Sequence, residues 1–174
     1  MFSSYMKHLF LPKNVQILEG SPFDQTPVEE FEVDKGNKYY CSLDGVIFSA
    51  DMKTLIAFPR YKNVTSYIIP NVVETIGRAS MTRFVYLERI IIPDSVTLIE
   101  GAFLYNTYNQ VKEIFIFRSY SQKKPVIKSS DSFHGSNFIE DNIQYIFSSQ
   151  ELKSCKLQLR FSISYINLYA FILL

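Results

Sequence analysis

One pattern is written twice and begun a third time between Val64 and Phe117, and it constrains the fold more than any other feature of the chain. Val64-x-x-Tyr67-x-Ile69-Pro70 returns as Leu87-x-x-Ile90-x-Ile92-Pro93, and then as Val111-x-x-Ile114-x-Ile116-Phe117. Pro70 and Pro93 stand 23 residues apart, and Ile92 and Ile116 stand 24 apart. Two further pieces repeat with them: Val73-x-x-Ile76-Gly77 against Val96-x-x-Ile99-Glu100, and Ser80-Met81 against Ala102-Phe103. Self-similarity at this period marks a solenoid, whose units bury their apolar faces only by stacking on one another.

The period reads physically. Ile90 and Ile92 alternate as on a short half-buried strand, and Leu87 turns in just before it. Pro93 has no N–H to donate, so the strand ladder stops there. Asp94-Ser95 makes a turn, Val96 and Ile99 point inward again, and Gly101 gives a tight corner before Ala102 and Phe103 close the coil. Each coil then offers about seven inward apolar groups. One coil cannot offset its own conformational entropy, whereas a stack can.

The same register extends in both directions. Leu11-Pro12-Lys13-Asn14-Val15-x-x-Leu18-Glu19-Gly20 aligns with Ile92 to Gly101, Phe23 takes the place of Phe103, and Val28-x-x-Phe31-x-Val33 is the next strand, with Asp34 where proline would stand. From 35 to 59 the period is interrupted. Tyr39 to Leu43 and Val46 to Phe48 flank Asp44-Gly45, a strong hairpin signal, and Thr54 to Phe58 is a third strand ended by Pro59. This reads as a three-stranded meander inserted between coils. Beyond Phe117, Pro125-Val126-Ile127 with Ser132-Phe133 reads as a degenerate coil, Ile143-x-x-Ile146-Phe147 as its strand, and 148–156 as a short helical turn. The expected division is a repeat domain over 1–156, holding the meander at 35–59, and an apolar tail over 157–174. That tail reads as a partial coil or a short membrane anchor, its last apolar run being 14 residues where a spanning helix needs about 20. Met1 and Leu174 fall inside coils, so self-association through uncapped ends is expected.

Composition narrows the function. Hydrophobic residues make up 47% of the 174-residue chain, enough for one sizeable core. Lys+Arg 18 against Asp+Glu 17 leaves no basic excess for phosphates, so nucleic acid is not expected as a partner. Cys41 and Cys155 make no zinc pattern, and whether they pair is left open. The first residues, MFSSYMKHLFL, lack the uninterrupted apolar core of a secretory signal. No phosphate-binding glycine loop, zinc-protease or paired-cysteine motif is present. Asp131-Ser132-x-His134 holds triad residue types, but neighbours on one loop make a poor catalytic line. Glu30, Glu32 and Asp34 alternate along one strand and read as a solvated face sooner than a cation site. Asn63-Val64-Thr65 is a glycosylation sequon with an inward-facing middle residue. No cofactor, no metal and no enzyme chemistry is expected.

These residues resemble a known family. Ile92-Pro93-Asp94-Ser95-Val96-Thr97, Ile76-Gly77 and Gly101-Ala102-Phe103 look like the BspA-type leucine-rich repeat. Tyr39-Tyr40, Asp44-Gly45-Val46-Ile47-Phe48, Asp51, Lys53-Thr54-Leu55-Ile56 and Pro59 resemble the meander that punctuates such proteins, and Pro125-Val126-Ile127 to Phe133 resembles their closing unit. The likeness runs from Leu11 to Lys153. It implies a mainly β, right-handed leucine-rich-repeat solenoid and a cell-surface protein, adhesin or antigen that binds host or matrix proteins. The alternative is an intracellular scaffold or a truncated repeat copy without activity of its own.

A candidate binding face follows from alternation. If Tyr67/Ile69, Ile90/Ile92 and Ile114/Ile116 point inward, then Ile68, Ile91 and Phe115 point outward on the same sheet. Glu32 precedes them and Phe147 follows. Beside this stripe run Glu30, Ser66, Arg89 and Glu113, in which Arg89 and Glu113 are placed to pair across strands. An apolar stripe with a charged rim suits a protein ligand.

Overall fold

The structure is a computed structural model that describes residues 6–18, 22–23, 25–101, 103–104, 111–118, 125–127 and 143–147, with the backbone alone at 126–127 and 143–147. Twelve strands follow in chain order: β1 Met6–Leu11, β2 Val28–Val33, β3 Tyr40–Leu43, β4 Val46–Ser49, β5 Thr54–Ala57, β6 Ser66–Ile68, β7 Thr75–Ile76, β8 Arg89–Ile92, β9 Leu98–Ile99, β10 Glu113–Arg118, β11 Val126–Ile127 and β12 Ile143–Phe147. The described residues contain no helix. Equivalent strands of successive coils pair in parallel, as stacking of a repeat requires.

Two ladders result. In the first, β6, β8, β10 and β12 lie side by side, with Ser66 opposite Arg89 and Arg89 opposite Glu113. In the second, β5, β7, β9 and β11 run in parallel, and β4 and β3 are added antiparallel at the β5 end. β1 and β2 form a separate parallel pair. The mainly β solenoid expected from the period is therefore present. Its meander is also present, with one refinement: the third meander strand, β5, is itself a rung of the second ladder.

One turn recurs after the strands β1, β6 and β8. The N–H of Val15, Val73 and Val96 donates to the carbonyl of Pro12, Pro70 and Pro93, at 3.2, 3.0 and 3.2 Å. After β2 the same turn is made by Asp34 and Asn37, at 2.9 Å, so aspartate does replace proline there. Coils then lock through carbonyls that each accept two successive N–H groups. Lys53 O takes Glu74 and Thr75, Glu74 O takes Thr97 and Leu98, Thr65 O takes Glu88 and Arg89, and Glu88 O takes Lys112 and Glu113.

The interior confirms the inward set. Leu87, Ile90, Ile92, Val96, Ile99, Phe103 and Leu104 are all buried, seven side chains from one coil. Met81 answers Phe103, although Ile76 to Met81 is one residue longer than Ile99 to Phe103. Ala79, at φ 52°, takes up the extra residue. A side chain at Gly77 would meet the Leu55 carbonyl at 2.8 Å, so that glycine serves close approach of two coils.

β4 divides the core in two. Val46 and Phe48 join the main cluster with Ile69, Ile90 and Ile114, whereas Ile47 joins a smaller one with Leu11, Val28, Phe31 and Val33. A strand buried on both faces reads as a continuous apolar run, and Val46-Ile47-Phe48 is one. Ser132-Phe133, the 148–156 turn, His134, Cys155 and the 157–174 tail lie outside the described residues.

Candidate protein-binding face

The outward row is built by register. Ile68 lies opposite Ile91, and Ile91 opposite Phe115, so three apolar residues occupy adjacent rungs about 4.8 Å apart. Ile68 and Ile91 are half-buried, and Phe115 is only 5% exposed. Of the outward neighbours named from the sequence, Glu32 is exposed. The side chain of Phe147 lies outside what is described. Sequence reasoning missed Phe10, which is 52% exposed and sits opposite Glu32 on β1. Its signal was available, because Phe10-Leu11-Pro12 aligns with Ile91-Ile92-Pro93.

The charged rim is a quartet. Arg89 donates from Nε and Nη2 to Glu113 Oε2, each at 2.6 Å, and Lys112 Nζ bonds Glu88 Oε1 at 2.7 Å. Acid and base thus alternate both along and across the strands. Slipping β10 by one residue in either direction would set Lys112 against Arg89 or Glu113 against Glu88. Like charges then oppose each other, so the quartet helps to hold the register. With Thr65, these four residues line an open hollow of about 330 Å³.

A second and larger hollow, of about 550 Å³, opens where the first ladder stops at β6. It is lined by Glu30, Asp44, Gly45, Lys62, Val64 and Tyr67. The hairpin tip stands here because Asp44 and Gly45 both adopt positive φ, 49° and 72°, as a two-residue turn demands. Gly45 O accepts from Phe31 N at 2.9 Å, and Lys62 Nζ donates to Asp44 O at 2.6 Å. Tyr67 holds the rung position of Ile90 and Ile114, yet it is only half-buried where they are covered. Burial, helped by the nearby Asp44 charge, holds its phenol well above the usual tyrosine range.

The other candidates take ordinary roles. His8 Nδ1 lies 3.5 Å from Glu30 Oε2, and Asp34 Oδ1 accepts the N–H of Gly36 at 2.7 Å. Among the described residues no group of three or more His, Cys, Asp or Glu is placed to hold a metal ion. Cys41 Sγ lies 3.2 Å from Ser49 O, and burial followed by the Asp51 charge pushes its thiol up. Asn63 is exposed while Val64 packs against the main core. No described helix is long and apolar enough to cross a membrane.

The fold is shared with solved bacterial proteins. The pneumococcal vaccine antigen PcpA superposes with a TM-score of 0.52 at 19% identity, over 88% of this chain and 53% of that one. A leucine-rich cell surface protein of Faecalibacterium prausnitzii gives 0.52 at 15% identity, over 86% and 50%. The present chain thus spans about half the length of these structures. No curated protein matches it. The sequence model of the BspA type leucine-rich repeat region matches residues 53–172 in six copies, reaching into the apolar tail. With its repeat turns, paired ladders and meander in place, the chain belongs to the BspA-type leucine-rich repeat family.

Proposed function

We propose that this chain is a non-enzymatic protein-binding module that presents the outer face of β6, β8 and β10 to a protein ligand. Ile68, Ile91 and Phe115 form its centre, and Arg89 and Glu113 form its rim. The observation that carries the reading is the register, which sets those three apolar residues side by side next to a paired quartet of charges. An apolar centre, half-buried at Ile68 and Ile91 and buried at Phe115, beside a charged rim matches the anatomy of protein interfaces. The ligand is a host or matrix protein, and the module acts at a cell surface. This location is supported by the likeness in fold to a vaccine antigen and a cell surface protein.

The test uses Ile68→Asp with Ile91→Asp, leaving the buried Phe115 in place. Binding of wild type and variant to a panel of immobilised matrix proteins is compared, with circular dichroism as the control for folding. The double variant is expected to stay folded and lose at least about tenfold in affinity, the cost of setting charge in an apolar contact. A folded variant that binds as before would remove this face from consideration. Antibody labelling of intact against permeabilised cells decides the location.

A further inference from the structure

The first ladder has an open edge at β6, where it stops. Among the described residues β6 pairs with β8 and with no other strand. Thr65 O accepts from Glu88 N and Arg89 N, and Ile69 N donates to Ile91 O at 3.0 Å, so the alternate residues of β6 face β8. Successive residues of a strand turn their backbone groups to opposite edges. Ser66 and Ile68 therefore turn their N–H and C=O to the edge away from β8; the hollow that Val64 and Tyr67 border lies beside that edge. Among the described residues no group bonds them there. Across the hollow, two donors of β2 are already taken: Phe31 N by Gly45 O at 2.9 Å and Val33 N by Ser42 Oγ at 3.0 Å. The hairpin thus engages the donors of one strand, whereas those of β6 are left open.

We propose that this hollow is a strand-addition site, where an extended peptide segment carrying a basic side chain pairs its backbone with the open edge of β6. Unpaired backbone donors and acceptors call for another backbone, and pairing of this kind is a recurring mode of peptide recognition. The half-covered Tyr67 ring offers one wall to an apolar side chain of the guest. Glu30, Asp44 and Lys62 also line the hollow, two carboxylates against one ammonium, and Lys62 Nζ is held by the Asp44 carbonyl. The charge left facing the guest is acidic. The proposal extends the binding reading by a second, different site; it concerns β6 alone, so it and the outer face can fail independently.

The probe is a capped nonapeptide of alternating Val and Thr carrying two Lys, titrated into the whole chain by nuclear magnetic resonance. Saturable binding should slow amide exchange at Ser66 and Ile68. It should weaken at least about tenfold, or 1.4 kcal/mol, when alternate peptide nitrogens are methylated. Replacing the two Lys of the peptide by Glu should weaken it further than Asp44→Asn does, a change that keeps the turn and removes one charge. Ser66→Pro removes a donor on the open edge of β6, at the first strand position where proline is tolerated, and should abolish binding in a folded protein. If that variant fails to fold, the methylated peptide decides on wild type. Equal binding of the methylated peptide, or none at all, overturns the proposal. Dimerisation of wild type in sedimentation that Ser66→Pro abolishes would assign the edge to a second copy, and would overturn it too.

Discussion

Phe103 is 1% exposed at the corner where one coil closes, and it meets Leu104, Met81 and the rest of the main cluster. Phe103→Ala is therefore expected to cost about 3–5 kcal/mol in a urea denaturation curve. A loss below about 1 kcal/mol would mean that the corner is not part of the core. Cys41 makes a different prediction. Its raised pKa means that the neutral thiol is favoured in the fold, so its contribution to stability is present below the unfolded pKa and is lost as pH rises through the folded one. Alkylation of Cys41, followed by mass spectrometry of its peptide, should show a midpoint alkaline of a free thiol. Asp51→Asn should move that midpoint back toward neutrality, and a midpoint at or below that of a model thiol would refute the account. At this scale the sequence shows which residues are inward, because Ile90, Ile92 and Val96 obey a period. It does not show how far an outward residue is covered: Ile91 and Phe115 share one row, yet only Phe115 is nearly closed to solvent.

Two elements break the repeat, and both are repaired in the same way. Where the meander begins, buried Asn37 sends Nδ2 to the carbonyls of Pro12 and Val15, both at 3.0 Å, and takes the N–H groups of Tyr39 and Tyr40 on Oδ1. Where the closing unit begins, buried Arg118 donates to the carbonyls of Pro93 and Val96, at 3.2 and 2.7 Å. Each polar side chain thus satisfies the same two carbonyls of the preceding turn. Asn37→Ala and Arg118→Met are each expected to cost about 2–4 kcal/mol, since buried carbonyls lose their donors. Calorimetry of the two variants checks this, and values near zero would show that water takes over. Neither device is legible in sequence. A polar residue in an apolar slot contributes nothing to periodicity, and its partners lie 22 to 25 residues away. The Asp44-Gly45 hairpin, by contrast, is legible because its signal is local. What local signals omit is that the hairpin tip would stand beside β6 and interrupt a ladder.

Across the whole molecule, β4 separates a small core around Leu11, Val28 and Phe31 from the larger one that runs on to Ile116. Among the described residues no strand of the first ladder bridges the two, because β2 is paired there only with β1 and β6 only with β8. The smaller block should open at lower free energy than the larger. Hydrogen exchange resolved by peptide is expected to exchange β1 and β2 before β8 and β10, and simultaneous exchange would show one cooperative unit. The carbonyls that take two N–H groups carry a last consequence, for how such a chain can change length over generations. Because Thr65, Glu74 and Glu88 each bind consecutive amides of the following coil, a residue gained within a strand displaces every rung behind it. A residue gained at the corner is absorbed there, as Ala79 already shows. Lineages of this gene should accordingly vary at the corners and by whole coils, and hold constant in the strands. One glycine inserted after Ala79 should leave the melting temperature within a few degrees, whereas the same insertion after Ile90 should abolish the cooperative transition.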